Sequence, residues 1–136
     1  MKGKLAILIL LVLGILSDDV KSDSYTLTIK TEGLENSEGI MVFALYNKTG
    51  SIPDQKFKKF YRKERANIIS NTSEFTFKNV PKGVYAVVVL HDENNNGKID
   101  TKFMLPLPSE GVGFSNFDDF GLSNKPNFKK ASFNLN

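Results

Sequence analysis

The chain has no cysteine, no tryptophan and a single histidine in 136 residues. Without cysteine there is no disulfide framework, no thiolate nucleophile, no Cys-x-x-Cys zinc site and no residue to carry a bacterial lipoprotein anchor. With His91 as the only imidazole, a zinc site built from several nitrogen and sulfur ligands cannot be assembled. No Gly-x-Ser-x-Gly elbow is present, so a serine hydrolase of that type is excluded as well. Neither sign of charge dominates. The formal net charge is +3, and Lys2 and Lys4 at the extreme N-terminus supply part of it. Such a balance does not point to nucleic acid, which calls for a concentrated basic surface. No apolar run reaches the roughly 20 residues that a membrane-spanning helix requires.

The apolar run that does exist is N-terminal. Lys2 and Lys4 precede Leu5 to Leu16, and polar Ser17 and Asp18 follow. A basic start, a short apolar stretch and a polar exit are the parts of a secretory signal peptide. We expect residues 1–22 to be a leader cleaved between 17 and 22, and residues 23–136 to form one exported domain, periplasmic or extracellular. On this reading the leader takes no part in the fold. The remainder is the size of a single domain with its own core.

Within that domain the patterning is that of strands. Tyr25, Leu27 and Ile29 alternate with Thr26, Thr28 and Lys30. Gly39 to Tyr46 and Val84 to Leu90 are apolar on both faces, as central strands are. Glu74 to Lys78 alternates again, Pro81-Lys82-Gly83 is a turn, and Ala131, Phe133 and Leu135 outline a closing strand. The expectation is an all-β fold, an antiparallel β-sandwich of the transthyretin-like or immunoglobulin-like kind with about seven strands, one short helix and one long ordered loop. The helix is predicted over Pro53 to Ala66, where Phe57, Phe60 and Tyr61 fall at i, i+3, i+4 among Lys56, Lys58, Lys59, Arg62, Lys63 and Arg65. The loop runs from Asp92 to Asn127. Its apolar content, including Phe114, Phe117 and Phe120, predicts that it packs on itself.

The beginning of that loop carries the chemistry. In His91-Asp-Glu-Asn-Asn-Asn-Gly-Lys-Ile-Asp100, Asp92, Asn94 and Asn96 alternate, Gly97 follows, and Asp100 closes the run. Oxygen ligands at positions one, three, five and nine, with glycine at six, form the front half of a calcium loop. Lys98 would offer its main-chain carbonyl. Position twelve, which should be a bidentate glutamate, is Phe103, so a carboxylate from elsewhere must complete the shell. Glu110 suits this role best, because Gly111 and Gly113 let the backbone beside it fold tightly. The expected metal site is therefore Asp92, Asn94, Asn96, Lys98, Asp100 and Glu110, with calcium as a structural cofactor. The plainer reading of the same residues is an Asx-rich turn.

These stretches, with Pro81-Lys-Gly83-Val-Tyr85 before them and Pro106-Leu-Pro-Ser-Glu110-Gly-Val-Gly-Phe114-Ser-Asn116 after them, resemble a family. It is the exported bacterial family labelled domain of unknown function 2141. Its pattern of Pro-x-Gly-x-Tyr, His-Asp, Asn-x-Asn-Gly-x-x-Asp and Pro-x-Glu-Gly-x-Gly-Phe-Ser-Asn is followed by Phe-x-x-Ala-x-Phe, here Phe128-Lys-Lys-Ala131-Ser-Phe133. The resemblance covers about Tyr25 to Leu135. It implies a transthyretin-like or carboxypeptidase-regulatory-like sandwich and carries no established activity.

The functional expectation is an exported, non-enzymatic domain that binds or interacts in the cell envelope. Its partner would be an envelope protein, a glycan or a lipid, with the domain itself monomeric. No catalytic residue or organic cofactor is assigned. One alternative is a small hydrolase or carbohydrate-active enzyme using His91 with Asp92 and Glu110. A second is a peripheral lipid-binding protein that uses the basic Lys56–Arg65 segment.

Overall fold

A computed structural model describes residues 8–15, 23–101, 108–117 and 123–136. Eight strands and one helical turn follow in order: β1 (Leu8–Ile15), β2 (Ser24–Glu32), β3 (Ile40–Tyr46), β4 (Arg62–Ala66), β5 (Ser73–Pro81), β6 (Gly83–Asp92), β7 (Val112–Phe114), α1 (Phe128–Ala131) and β8 (Phe133–Leu135). They form two antiparallel sheets. One has the order β1-β2-β5, and the other β4-β3-β6-β7 with β8 also paired to β6. The all-β sandwich expected from the strand patterning is the observed architecture.

The two apolar central strands have two faces to bury, and both are covered. Met41, Phe43 and Leu45 of β3, with Val87 and Val89 of β6, meet Leu27, Ile29, Phe77 and Val80 of the facing sheet. That is the core between the sheets. The alternate residues Val42, Ala44 and Tyr46, with Ala86, Val88 and Leu90, face the other way. A third layer covers them, made of Ile52 and Phe57 from the β3–β4 connection, Val112 and Phe114 of β7, and Phe128 and Ala131 of α1. Burial on both faces is why these strands lack alternation.

The Pro-x-Gly-x-Tyr turn carries the chain from one sheet to the other. The Tyr85 hydroxyl donates to the Pro81 carbonyl at 2.7 Å, which ties the first residues of β6 back to the end of β5. A Cβ at Gly83 would stand 3.3 Å from the Tyr85 ring.

The predicted helix over Pro53 to Ala66 does not exist. The segment is a set of turns followed by the edge strand β4, which pairs with β3 from Met41↔Ala66 to Leu45↔Arg62. The organiser is Asp54, buried with 8% of its surface exposed. Its carboxylate accepts the N–H of Lys58 at 3.1 Å and of Lys59 at 2.8 Å, and the Tyr46 hydroxyl at 3.0 Å. Phe57 sits at φ +49°, outside any helix, and is buried in the outer layer. Tyr61 is exposed instead of sharing its face. The basic residues Arg62, Lys63 and Arg65 belong to a sheet edge, where charge discourages edge-to-edge pairing. The lipid-binding alternative thereby loses its amphipathic helix.

Among the described residues the one helix is α1, a single turn capped by the Asn127 side chain, which accepts the Lys130 N–H at 2.9 Å. Ala131 therefore ends a helix, where the alternation predicted a strand, and β8 begins only at Phe133. The long loop contains a strand of its own, β7. Ser115 fixes this part. Its hydroxyl donates to the Ala131 carbonyl at 2.6 Å and accepts the Val87 N–H at 2.8 Å. Phe114 and Phe117 meet edge to face, as a loop with its own small core requires; Phe120 lies outside the described residues.

The apolar N-terminal run, expected as a leader that takes no part in the fold, is seated in this structure as β1 on the free edge of β2. The register runs from Leu8↔Glu32 to Ile15↔Tyr25.

Tyr46 gives the first test of this packing. It is fully buried, and burial followed by the neighbouring Asp54 carboxylate pushes its phenol well above the usual range. Tyr46→Phe removes the donor and leaves Asp54 a buried acceptor short of one partner. A loss of about 1–3 kcal/mol in unfolding free energy is expected by urea denaturation.

Candidate functional site

β6 delivers His91 and Asp92 to opposite faces of its sheet, since successive strand residues alternate. His91 follows Val87 and Val89 toward the inter-sheet core, while Asp92 follows Val88 and Leu90 toward the outer layer. His91 is 1% exposed. Its Nε2 lies 2.7 Å from the Glu38 carbonyl, its main-chain N–H donates to the Gly111 carbonyl at 2.8 Å, and its Nδ1 is 4.0 Å from the Glu93 carboxylate. His91 thus joins three segments: its ring reaches the β2–β3 loop and Glu93 at the end of β6, and its main-chain N–H holds the residues before β7. A hydrolytic pair of His91 and Asp92 would need both side chains at one reacting atom. The strand sends them apart.

Asp92 is fully buried. Its carboxylate accepts the N–H of Asn96 at 3.0 Å and of Gly97 at 2.8 Å, which folds the loop back over it. Asn95 and Gly97 take positive φ, +57° and +78°, to make that reversal. The loop then converges on Asp100. Asn94 Nδ2 donates to its carboxylate at 2.7 Å, and Asn96 Nδ2 reaches its two oxygens at 2.9 and 2.7 Å. Lys98 contributes an N–H to the Asn96 side chain at 3.1 Å. Asp100 is tied to the returning chain by its carbonyl, which accepts the Ser109 N–H at 2.8 Å.

That return brings in Glu110, which is 6% exposed and has Oε2 buried without a hydrogen-bond partner. Burial first, then the carboxylates of Asp100 and Asp92, pushes its pKa up to about 7, against backbone hydrogen bonding from Asn94 and Asp100. The structure thus gathers Asp92, Asn94, Asn96, Asp100 and Glu110 at one end of the sandwich. Among the described residues, no group of three or more His, Cys, Asp or Glu side chains forms a ready-made metal cluster. The oxygen donors of this end are a mixture of carboxylates, side-chain amides and main-chain carbonyls. Phe103, at the twelfth position of the motif, lies outside the described residues.

Several residues of this end were not flagged by the motif. Asn36 Nδ2 donates to the Glu93 carboxylate at 2.9 Å and so docks the β2–β3 loop against the motif. Ile99 donates its N–H to the Gln55 carbonyl at 2.8 Å, which joins it to the Asp54 turns. Gly39 packs its Cα against the Asp92 and Glu93 main chain. The only sequence signal for Gly39 was its place at the head of a fully apolar strand.

A family model described as "Uncharacterized protein conserved in bacteria (DUF2141)" matches residues 29–136. No curated protein and no solved structure matches the chain.

Proposed function

We propose, for a chain that belongs to the DUF2141 family of uncharacterised bacterial proteins, an exported β-sandwich domain whose loop after β6 is held in shape by calcium for a binding role in the cell envelope. The observation that supports the calcium reading is Glu110. A carboxylate buried beside two others, with one oxygen unpartnered, is costly to keep charged. A divalent cation offsets that cost.

The donor chemistry fits. Asp92, Asp100 and Glu110 supply carboxylate oxygens, Lys98 a main-chain carbonyl, and Asn94 and Asn96 side-chain amides. Hard oxygen donors of this kind suit calcium. The amide nitrogens of Asn94 and Asn96 point at Asp100; to ligate calcium each amide turns its oxygen inward, giving up the Asn96 N–H bond to Asn94 and the Lys98 N–H bond to Asn96. Bound there, calcium would neutralise the acids and pin both ends of the loop. The loop in turn carries β7 and the Phe114–Phe117 pair, which form part of the outer layer. The role is that of a structural ion beneath a recognition surface.

Isothermal calorimetry is the first test. Calcium should bind with a dissociation constant on the order of 10⁻⁴ M, the range of extracellular modules, and magnesium should give little heat because it dehydrates reluctantly. Equal heats for the two ions, or none for either, would remove calcium from this reading.

The export part is tested separately. Lys2, Lys4 and the apolar run that ends before Ser17 lead us to expect that the exported protein starts between Asp18 and Tyr25, as read by mass spectrometry of native material. An intact Met1 in membrane-bound protein would contradict it.

A further inference from the structure

We infer that the edge of β2 is a seat for an extended, aliphatic segment of another protein, opened when the leader that occupies it here is removed. The inference rests on the export reading above.

Three observations support it. First, the seat is built for one antiparallel strand. β1 pairs with β2 from Tyr25 to Glu32, with Leu11 opposite Ile29 and Leu13 opposite Leu27, and Ile9 and Leu11 pack against the inter-sheet core. Removal of β1 leaves the main chain of β2 unpaired along that edge and uncovers the core beside Leu27 and Ile29. Second, β1 is an imperfect occupant. Thr26 Oγ1 is buried without a hydrogen-bond partner, and the residue opposite it is Gly14, which has no side chain to offer. The outward residues Leu10 and Val12 are 49% and 45% exposed. A permanent strand of a soluble domain would carry polar residues there. Third, the seat admits a single strand rather than a second copy of the domain. β7 of the facing sheet lies close to β1, so a second β2 placed there would bring its own facing sheet into collision with this one. At the opposite edge of the sandwich β4 lies against β5, and Arg62 donates to the Lys78 carbonyl at 2.7 Å.

The occupant is thus specified chemically. It is a segment of about eight residues in extended conformation, with aliphatic side chains at the places of Ile9 and Leu11 and a hydrogen-bonding side chain at the place of Gly14. Main-chain pairing supplies affinity and the alternate pockets supply selectivity, as in other recognition by strand addition.

The experiment uses residues 23–136 and two lysine-flanked synthetic peptides, one with the Leu8–Ile15 sequence and one carrying Gly14→Ser. Binding is followed by calorimetry, and folding by far-ultraviolet circular dichroism. Both peptides should bind in the micromolar to millimolar range, and a scrambled peptide should not. The Gly14→Ser peptide should bind about fivefold more tightly, because its hydroxyl satisfies Thr26. The intact chain, with its seat filled, should bind neither. A shortened chain that folds only when peptide is added also supports the seat. A shortened chain that binds no peptide, that binds the scrambled one equally, or that sediments as a dimer through this edge overturns it. Mass spectrometry of the native N-terminus decides the export reading independently of these outcomes.

Discussion

Gly39→Ala is expected to cost the domain more than about 4 kcal/mol, or to prevent folding outright. Two independent reasons act at this position. Gly39 has φ +69°, where a residue with a side chain is strained. A Cβ there would also stand 2.1 Å from the Asp92 carbonyl oxygen and 2.6 Å from the Glu93 Cα. Those are main-chain atoms of β6 and the loop it enters, so no flexible side chain can swing aside. Relief would require β3 and β6 to part at Ile40↔Asp92, the last pair of their register. The neighbouring bond from His91 to the Glu38 carbonyl would be disturbed with it. Urea denaturation of the purified variant is the measurement, and a loss below about 1 kcal/mol would show that this approach of main chains is not what holds the end of the sandwich.

Asp92→Ala is expected to cost about 3 kcal/mol even without calcium. The carboxylate is fully buried and holds the Asn96 and Gly97 amides at 3.0 and 2.8 Å. Bonds from main-chain N–H groups to a charged acceptor are among the stronger ones, and alanine would leave two donors without a partner. Asp92→Asn keeps one acceptor oxygen and should lose roughly half as much. Chemical denaturation of the two variants in EDTA checks both figures. Equal losses would mean that charge rather than hydrogen bonding fixes the loop.

The strands were legible where the sequence controls its own burial. The alternation at Tyr25–Ile29 and the apolar runs Ile40–Tyr46 and Val84–Leu90 each lie in a strand; burial on both faces holds from Met41 and Tyr85 onward, while Gly39 precedes β3 and Val84 is 47% exposed. What covers the outer face of β3 and β6 was not legible, because the layer is made of turns and a single helical turn without periodicity. The helix predicted over Pro53 to Ala66 failed for a definite reason. Aromatics at i, i+3, i+4 among lysines satisfy the helical pattern, but a charged edge strand preceded by turns has the same composition. The deciding interaction, Asp54 with Tyr46 and two main-chain amides, is tertiary. β7 has three residues, too few for any alternation to register.

The site was legible in part. Spacing placed Asp92, Asn94, Asn96 and Asp100 in one loop, and Glu110 is buried beside Asp100 and Asp92; Gly113, expected to let the backbone there fold tightly, lies in strand β7 instead. The docking of Asn36, Glu38 and Gly39 from a different loop has no local signal. It depends on β3 pairing with β6 in the observed register.

Thermal unfolding with and without calcium tests the central claim most directly, with the wild-type chain beside Glu110→Gln. At about 2 mM free calcium, a site with a dissociation constant near 10⁻⁴ M adds about 1.8 kcal/mol by mass action. For a domain of this size, that raises Tm by roughly 4 °C or more. In EDTA, Glu110→Gln should melt close to the wild type, since it removes only a charge that burial and its neighbours already disfavour. In calcium it should lose most of the rise, because the missing twelfth ligand then has no replacement. A wild-type melting curve that calcium leaves unmoved, or a rise that Glu110→Gln retains in full, would contradict calcium binding at this loop.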